Sequence, residues 1–447
     1  MSSRSDADAF QASPHKTLLR LSVPVLFSLI AEPLTGVVDT FFAAGLGSEA
    51  QAALGVGTIA LSAVFWIFNF LGIGTQSEVA QRYGAGREQS AAEISALAMA
   101  MAFFTGLFMI LVGWPLSHRA ALLLGAEGRV LEIAADYIQI RLLGAPAVLI
   151  TIAGFGALRG IREMRIPLWV ATAINLINMV LDYPLIVGWG PIPPLGMSGA
   201  AWASIAGQWL GALWTLRAVR ASLGRVEKLP AGETRKLLRI GGDLFIRTGM
   251  LTLFLLLCTR WATRAGAGAG AVHQAIRQMW FFTALLLDAF AISGQSLIGY
   301  FFGAGRRELM KQVATVVCLW SFATGILLSL AMWLGSDWVQ FWLVPESAWP
   351  LFALPWIISL LAQPLNALAF ATDGLHWGTG DFAYLRNATS LSTVTGAALL
   401  LLIPEDSDKT LLWIWGFTTV WIFLRALLGM LRIWPGIGRS PFAASSE

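Results

Sequence analysis

Charge is scarce in this chain. Asp, Glu, Lys and Arg make up 13% of its 447 residues, whereas hydrophobic residues reach 57% and the mean hydropathy is +0.69. Too little polar side chain remains to cover a water-soluble surface, so the chain is read as lipid-embedded. Cysteine is nearly absent. Cys258 and Cys318 both fall in apolar stretches, which excludes a disulfide framework or a cysteine metal cluster and leaves two small buried hydrophobes. Histidine is almost as rare. His15 and His118 are read as solvated and His273 as a hydrogen-bonding residue; with no paired-His motif and no Ser-His-Asp set confined to a membrane site, an enzyme is not indicated. A cleavable leader pattern is also missing. Met1 to Pro14 is polar, carries Arg4, Asp6 and Asp8, and has no apolar run before a small-residue site, so the first apolar segment is expected to be retained.

What is abundant is apolar sequence in span-sized blocks. A crossing needs about 20 mainly apolar residues, and twelve such blocks start near residues 21, 53, 91, 131, 166, 197, 240, 271, 310, 349, 382 and 410. Basic residues concentrate in the N-terminal tail (Lys16, Arg20) and in alternate connectors. Examples are Arg82 and Arg87; Arg159, Arg162 and Arg165; the run from Arg217 to Arg239; Arg306, Arg307 and Lys311; Arg386; and Arg425, Arg432 and Arg439. The opposite connectors are poor in Lys and Arg and hold Asp337, Glu346, Glu405, Asp406 and Asp408. By the positive-inside rule both termini are expected on the cytoplasmic side of an inner membrane. The formal net charge of +4 has the same origin, so no nucleic-acid partner is invoked.

The two halves repeat. Leu18-Leu19-Arg20 recurs as Leu237-Leu238-Arg239, Gln76-Ser77 as Gln295-Ser296 and Gly84-Ala85-Gly86-Arg87 as Gly303-Ala304-Gly305-Arg306, always 219 positions on. One offset held at three places argues for a duplicated six-helix unit, and an even helix number makes the two units parallel. The expected all-α organisation is a tail (1–17), a first lobe (18–216), a cytoplasmic linker (217–236), a second lobe (237–435) and a C-terminal tail (436–447).

Within such a bundle, ionisable residues far from helix ends are costly and are read as functional. Asp39 stands six residues before Gly45, and Asp182 six residues before Gly188. Both spans run outward, so the two carboxylates are expected at similar depth in the outer half of the membrane. Asn175, Asn178 and Asp182 follow at i, i+3 and i+7 and share one helix face. Ionised carboxylates cannot share a dry cavity cheaply, so the set is read as a proton or Na⁺ site of oxygen ligands at Asp39, Asn178 and Asp182. A hydrogen-bonded structural cluster between the first and fifth spans is the other reading. Pro24 and Pro33 are taken to interrupt the first helix and Pro184 the fifth, each removing a backbone donor beside the acids.

Other polar residues are less specific. Asp243 and Arg247, at i, i+4, are expected to pair, and Arg247 and Asp288 to clamp adjacent helices. Glu78 is expected to be solvated at a span end. Glu32 shares a face with Asp39 and either joins the site or caps a cavity wall. Trp66, Phe68 and Phe70 around Asn69 either line a cavity for amphiphilic cations or face lipid. Trp66, Asn69, Phe70, Arg141, Phe155 and Glu32 form the expected substrate cavity.

Several segments also resemble one transporter family, from about Leu18 to Arg432. Glu32-Pro33 with Val38-Asp39-Thr40 is similar to the first-helix signature of multidrug and toxic compound extrusion (MATE) transporters. Ile138-Gln139-Ile140-Arg141 with Gly144-Ala145-Pro146, and Asn178 to Asp182 leading into Gly199-Ala200-Ala201-Trp202-Ala203, resemble its fourth to sixth helices. Asp243 to Thr248, Leu287-Asp288-Ala289-Phe290 and the Gly-Ala-Gly-Arg ending resemble its DinF branch most. The resemblance implies export of a small molecule against an inward H⁺ or Na⁺ gradient, with no other cofactor, by a single chain working as a monomer in the bilayer. Coupling residues would map to Asp39, Asn178 and Asp182, with Ser204 where the family can place Thr. The 219 offset takes Asp39 to Cys258, so coupling is expected in the first lobe. A lipid-linked intermediate flippase shares the many-helix plan, but would need a more cationic interior than Arg141, Arg247 and Arg277 supply.

Overall fold

The computed structural model describes residues 9–226, 228–404 and 409–443, except for the side chains of Glu32 and Leu34. The described chain is a succession of helices. They are α1 (Pro14–Leu46), α2 (Ser48–Ile67), α3 (Phe70–Gly84), α4 (Glu88–Leu123), α5 (Gly128–Leu142), α6 (Ala145–Gly160), α7 (Arg165–Ile186) and α8 (Met197–Leu223). The second half follows with α9 (Thr234–Arg264), α10 (Ala267–Gly303), α11 (Arg307–Leu334), α12 (Ser336–Leu343), α13 (Ala353–Leu361), α14 (Gln363–Thr379), α15 (Phe382–Leu400) and α16 (Thr410–Ile433).

Eight crossings are long and apolar enough on their own: α1, α2 with α3, α4, α7, α9, α10, α11 and α16. Two more are bent pairs, α5 with α6 at 51° and α13 with α14 at 41°. The remaining two, α8 and α15, are span-length at 27 and 19 residues but more polar. Their polar faces are turned into protein. On α15, Thr389, Ser392 and Thr393 are buried, and the Thr393 hydroxyl donates to the Met250 carbonyl (3.2 Å) while accepting from Trp421 Nε1 (3.2 Å). Internal partners make such a helix tolerable in lipid. Among the described residues this makes twelve spans, six in each half, each beginning near the start of an apolar block.

The chain divides into two compact units, Val23–Gly241 and Met1–Ser22 with Gly242–Glu447. The division falls inside α1 and α9. In the second unit the segment before the division packs Phe10 on Phe301 (5.8 Å between centroids), and His15 Nδ1 accepts from Trp320 Nε1 (3.0 Å). In the first unit the start of α9 is held by Lys236 on Glu78 (2.7 Å). Each unit has its own core: Leu54, Leu61, Tyr137, Ile138, Leu142 and Ile186 in the first, and an aromatic one around Phe254, Trp280, Trp356, Trp415 and Trp421 in the second.

Close helix contacts repeat between the units. A Cβ on Gly106 would stand 2.4 Å from Pro146 Cα, and one on Gly325 2.7 Å from Pro364 Cα. Gly156 lies against the Gly72 carbonyl as Gly374 lies against that of Ala291, both 2.3 Å from a built Cβ. Gly160 and Gln76 repeat as Gly378 and Gln295, at 2.9 and 2.6 Å. Only glycine permits backbones this close. Residues 72, 76 and 106 map forward by 219, but 146, 156 and 160 map by 218, so the second unit is one residue shorter between these points. The bent pairs obey the same map, with Gly144 at one break and Ala362 at the other.

Pro24, Pro33 and Pro184 do not mark the breaks, although Pro146 and Pro364 open the helices that follow two of them. α1 runs unbroken through Pro24 and Pro33, and α7 through Pro184. The interruptions lie at Phe68–Asn69, Leu143–Gly144 and Ala362, where i to i+3 bonds such as Phe68 N to Phe65 O (3.0 Å) and Gly144 N to Arg141 O (3.0 Å) tighten the chain. Neighbouring helices hold a proline in register in lipid, so a missing donor does not by itself end a span.

Candidate functional site

The first unit gathers polar groups from five helices. α1 supplies Asp39, α2 Thr58, α5 Tyr137 and Arg141, α7 Asn178 and Asp182, and α8 Ser204. One helical turn separates Asn178 from Asp182, which puts both on the α7 face turned toward α8. Asp182 is 0% exposed and Asn178 1%; Ser204 is buried and Asp39 half-buried. Asp39 is therefore the member nearest open space, and Asp182 the closed one.

Hydrogen bonds join these groups into a chain. In one orientation the Asn178 amide nitrogen donates to Asp39 Oδ1 (3.2 Å), and its oxygen accepts from the Ser204 hydroxyl (3.1 Å) and backbone N–H (3.3 Å). With the amide turned over, its nitrogen faces Ser204 Oγ (3.1 Å) and Asp182 Oδ1 (3.4 Å). The two carboxyl groups stand close enough to act on each other directly. Two carboxylates this close in a buried setting repel, and uptake of one proton or a cation relieves that repulsion. Across from them, Arg141 and Thr58 stand close to the Tyr137 hydroxyl, and the Arg141 guanidinium acts electrostatically on Asp39. Two acids, an amide and a hydroxyl form an oxygen-rich set that takes either a proton or a hard cation.

Of the expected cavity residues, Arg141 belongs to this cluster. Trp66 is 55% exposed and Asn69 is exposed, both beside the α2–α3 break. Phe70 packs against Gly241, whose built Cβ would stand 2.8 Å from the ring, and Phe155 carries the Arg159 guanidinium 5.6 Å from its centroid. Asn175 is half-buried one turn before Asn178 and takes no part in the bonds above. The side chain of Glu32 lies outside the described residues.

In the second unit the charges are partnered differently from the sequence expectation. Asp243 pairs with Arg386 (2.5 Å), not with Arg247 one turn on. Arg247 donates to Asp373 Oδ2, and Arg425 Nη2 donates to the same oxygen (2.7 Å). Asp288 acts electrostatically on Arg425. Neighbouring helices place counter-charges closer than the next turn does, and a buried ion pair is tolerable only with such geometry. Arg425, counted from sequence as a cytoplasmic flanking cation, is buried within α16. Glu78, expected in solvent, is 4% exposed and held by Arg82 (3.2 Å) and Lys236 (2.7 Å). Asp373 went unremarked in the sequence although it is an acid inside an apolar block, the signal that marked Asp39. Cys258, at the offset position of Asp39, is buried with its Sγ 3.8 Å from the Thr418 hydroxyl.

The comparisons with known proteins cover both units. Residues 24–184 and 245–402 match the MatE family model. DNA damage-inducible protein F of Escherichia coli is 28% identical over 435 residues, covering 95% of this chain and 93% of that protein. Protein DETOXIFICATION 44, chloroplastic, of Arabidopsis thaliana is 28% identical over 433 residues, covering 93% of this chain and 81% of that protein. A crystal structure of MATE in the bent conformation superposes with a TM-score of 0.87 at 20% identity, covering 95% of this chain and 96% of that one. With twelve spans in two repeated six-helix units and a family match across each, the chain belongs to the MatE family of multidrug and toxic compound efflux transporters.

Proposed function

We propose that this protein is a secondary antiporter of a bacterial-type inner membrane, exporting amphiphilic organic cations in exchange for protons through Asp39 and Asp182. The gathering of Asp39 and Asp182 around the one Asn178 amide, at 3.2 and 3.4 Å, carries this reading, because two carboxylates so placed in a largely dry site are relieved by taking up a proton. The concentration of Lys and Arg in the N-terminal tail and alternate connectors supports cytoplasmic termini.

Exchange follows from occupancy. With one proton bound, the pair bears a single negative charge, which Arg141 offsets from α5. Loss of that proton leaves two ionised groups in a largely dry site, a state stabilised by an incoming cation. Proton and cation are then alternative ways of neutralising one cluster, and each shifts the protein toward the state that binds it better. α1 carries Asp39 and also contains Pro24 and Pro33, which remove two backbone bonds along the same helix. Bending there breaks less than bending elsewhere.

Reconstitution tests the reading. Purified protein in proteoliposomes should drive a fluorescent cation against its gradient when a pH difference is imposed and not when only a Na⁺ difference is. Transport that follows neither gradient, or Na⁺ alone, would overturn it.

A further inference from the structure

We propose that the second unit carries an oxyanion-binding site, built on Arg247 and Arg425, for a carboxylate or phosphate group. The proposal goes beyond the coupling reading and concerns the other unit.

The starting observation is an inefficient use of donors. Arg247 on α9 and Arg425 on α16 both donate through Nη2 to one oxygen, Oδ2 of Asp373 on α14. A carboxylate can accept a two-pronged fork from an arginine. Crowding two arginines onto one oxygen leaves Nε of Arg247 and both Nε and Nη1 of Arg425 buried with no acceptor. The two side chains are 8% and 3% exposed, so these donors are not spent on bulk water.

Position is fixed from the faces of the guanidinium groups, not from their edges. Arg247 lies over the Trp377 ring (5.0 Å) and Arg425 over Trp421 (4.8 Å). Stacking orients the plane and leaves the N–H edge to bind a flat or tetrahedral oxyanion, the arrangement that favours arginine over lysine at such sites. Asp288 on α10 is half-buried and acts on Arg425; Asp373 lies in direct contact with both arginines.

The duplication sharpens the point. Under the residue map between the units, Arg247 falls on Ser28 and Asp373 on Phe155, and by the matching contacts Gly154–Thr215 and Thr372–Gly429 Arg425 falls on Gly211. The shared frame therefore stands without these charges. Apolar residues of similar size commonly serve packing as well as a buried ion pair does, so a second buried arginine with unspent donors is unexplained by the fold and explained by a ligand. Asp373 then acts as an internal occupant, holding the pair together until an external oxyanion competes for it.

The test uses the full chain in phosphatidylcholine nanodiscs, titrated calorimetrically with phthalate and with inorganic phosphate at constant ionic strength. Dimethyl phthalate is the uncharged control, and a parallel set of discs contains phosphatidylglycerol. Saturable binding of the anions and not the ester is expected. It should weaken at least tenfold in Arg425→Gln, recover in part in Arg425→Lys, and tighten at least tenfold in Asp373→Asn, where the internal competitor is gone. Thermal stability of Asp373→Asn should also rise with phthalate more than that of the wild type. Should Arg425→Gln fail to fold, anion protection of Arg425 in the wild type against phenylglyoxal, read by mass spectrometry, replaces it. Phosphate binding that phosphatidylglycerol abolishes, without phthalate binding, supports the site with a lipid headgroup as its source. Absence of binding in all discs, equal binding of the ester, or indifference to both Arg425→Gln and Asp373→Asn overturns the proposal. Asp39→Asn should bind anions as the wild type does, which separates this outcome from failure of the coupling reading.

Discussion

Replacing either acid of the first-unit cluster by its amide should uncouple export while sparing the fold. In Asp182→Asn the new side chain is nearly isosteric, and its N–H can donate where a protonated carboxyl would. The Asn178 contacts to Ser204 at 3.1 and 3.3 Å do not involve the replaced atoms. At most one hydrogen bond is traded for another, a change within about 1 kcal/mol, or roughly 2–4 °C in thermal midpoint. The functional effect is much larger. A gradient of about two pH units supplies about 2.7 kcal/mol per proton, enough to sustain roughly a 100-fold concentration ratio of a monovalent cation exchanged one for one. An amide takes up no proton, so the ratio in Asp182→Asn and in Asp39→Asn should fall to about one. The assay is steady-state accumulation of a fluorescent cation in proteoliposomes with the membrane potential clamped. Asp288→Asn is the comparison, expected to act mainly on stability. Should both first-unit variants keep a ratio above about tenfold, the assignment of coupling to Asp39 and Asp182 is refuted.

Three further outcomes follow from the same geometry. Substrate-cation affinity should weaken as pH falls in the wild type and lose that dependence in Asp39→Asn; a wild-type affinity flat in both pH and Na⁺ would exclude competition at this cluster. Gly156→Ala and Gly374→Ala each drive a Cβ to 2.3 Å from a carbonyl oxygen, so both should destabilise by about 1–3 kcal/mol in detergent unfolding, and a neutral result for only one would break the equivalence of the two contacts. Cys258 and Cys318 are buried; a membrane-impermeant maleimide should label them after denaturation and not before, with rapid labelling of the native protein as the contrary result.

The helices were legible because their cause is local. Twelve apolar blocks announce twelve spans, and the Gly-Ala-Gly-Arg repeat marks equivalent places in each half because a backbone turn needs the same residues wherever it recurs. What the sequence obscured was how helices end. Pro24 and Pro33 look like breaks, yet α1 is continuous, whereas Phe68–Asn69 carries a break with no proline at all. A proline removes one donor, and lateral packing decides whether the helix yields. Asn175 shows the same limit from another side: helical spacing put it on the Asp182 face, but the neighbouring helix meets that face one turn later.

Charge was legible only where sequence proximity and burial agree. Asp39 and Asp182 stood out as lone acids in apolar blocks, and the link that makes them a site, through Asn178 and Ser204, runs between residues 26 apart along the chain. Arg425 shows why counting cations near span ends fails in the second unit. A guanidinium eight residues from the end of α16 looks like an inner-face anchor, but its carboxylate partner lies 52 residues away on α14, and only the packed bundle brings them together. The same reasoning explains why Arg247 left its i+4 neighbour for Asp373, 126 residues on. In a low-dielectric interior the Coulomb term grows steeply as separation shrinks, so a direct contact across helices outweighs a longer one along the same helix. Buried charge in this fold is therefore assigned by interhelical contact, and the glycine positions that set those contacts are the part of the sequence from which the partners can be read.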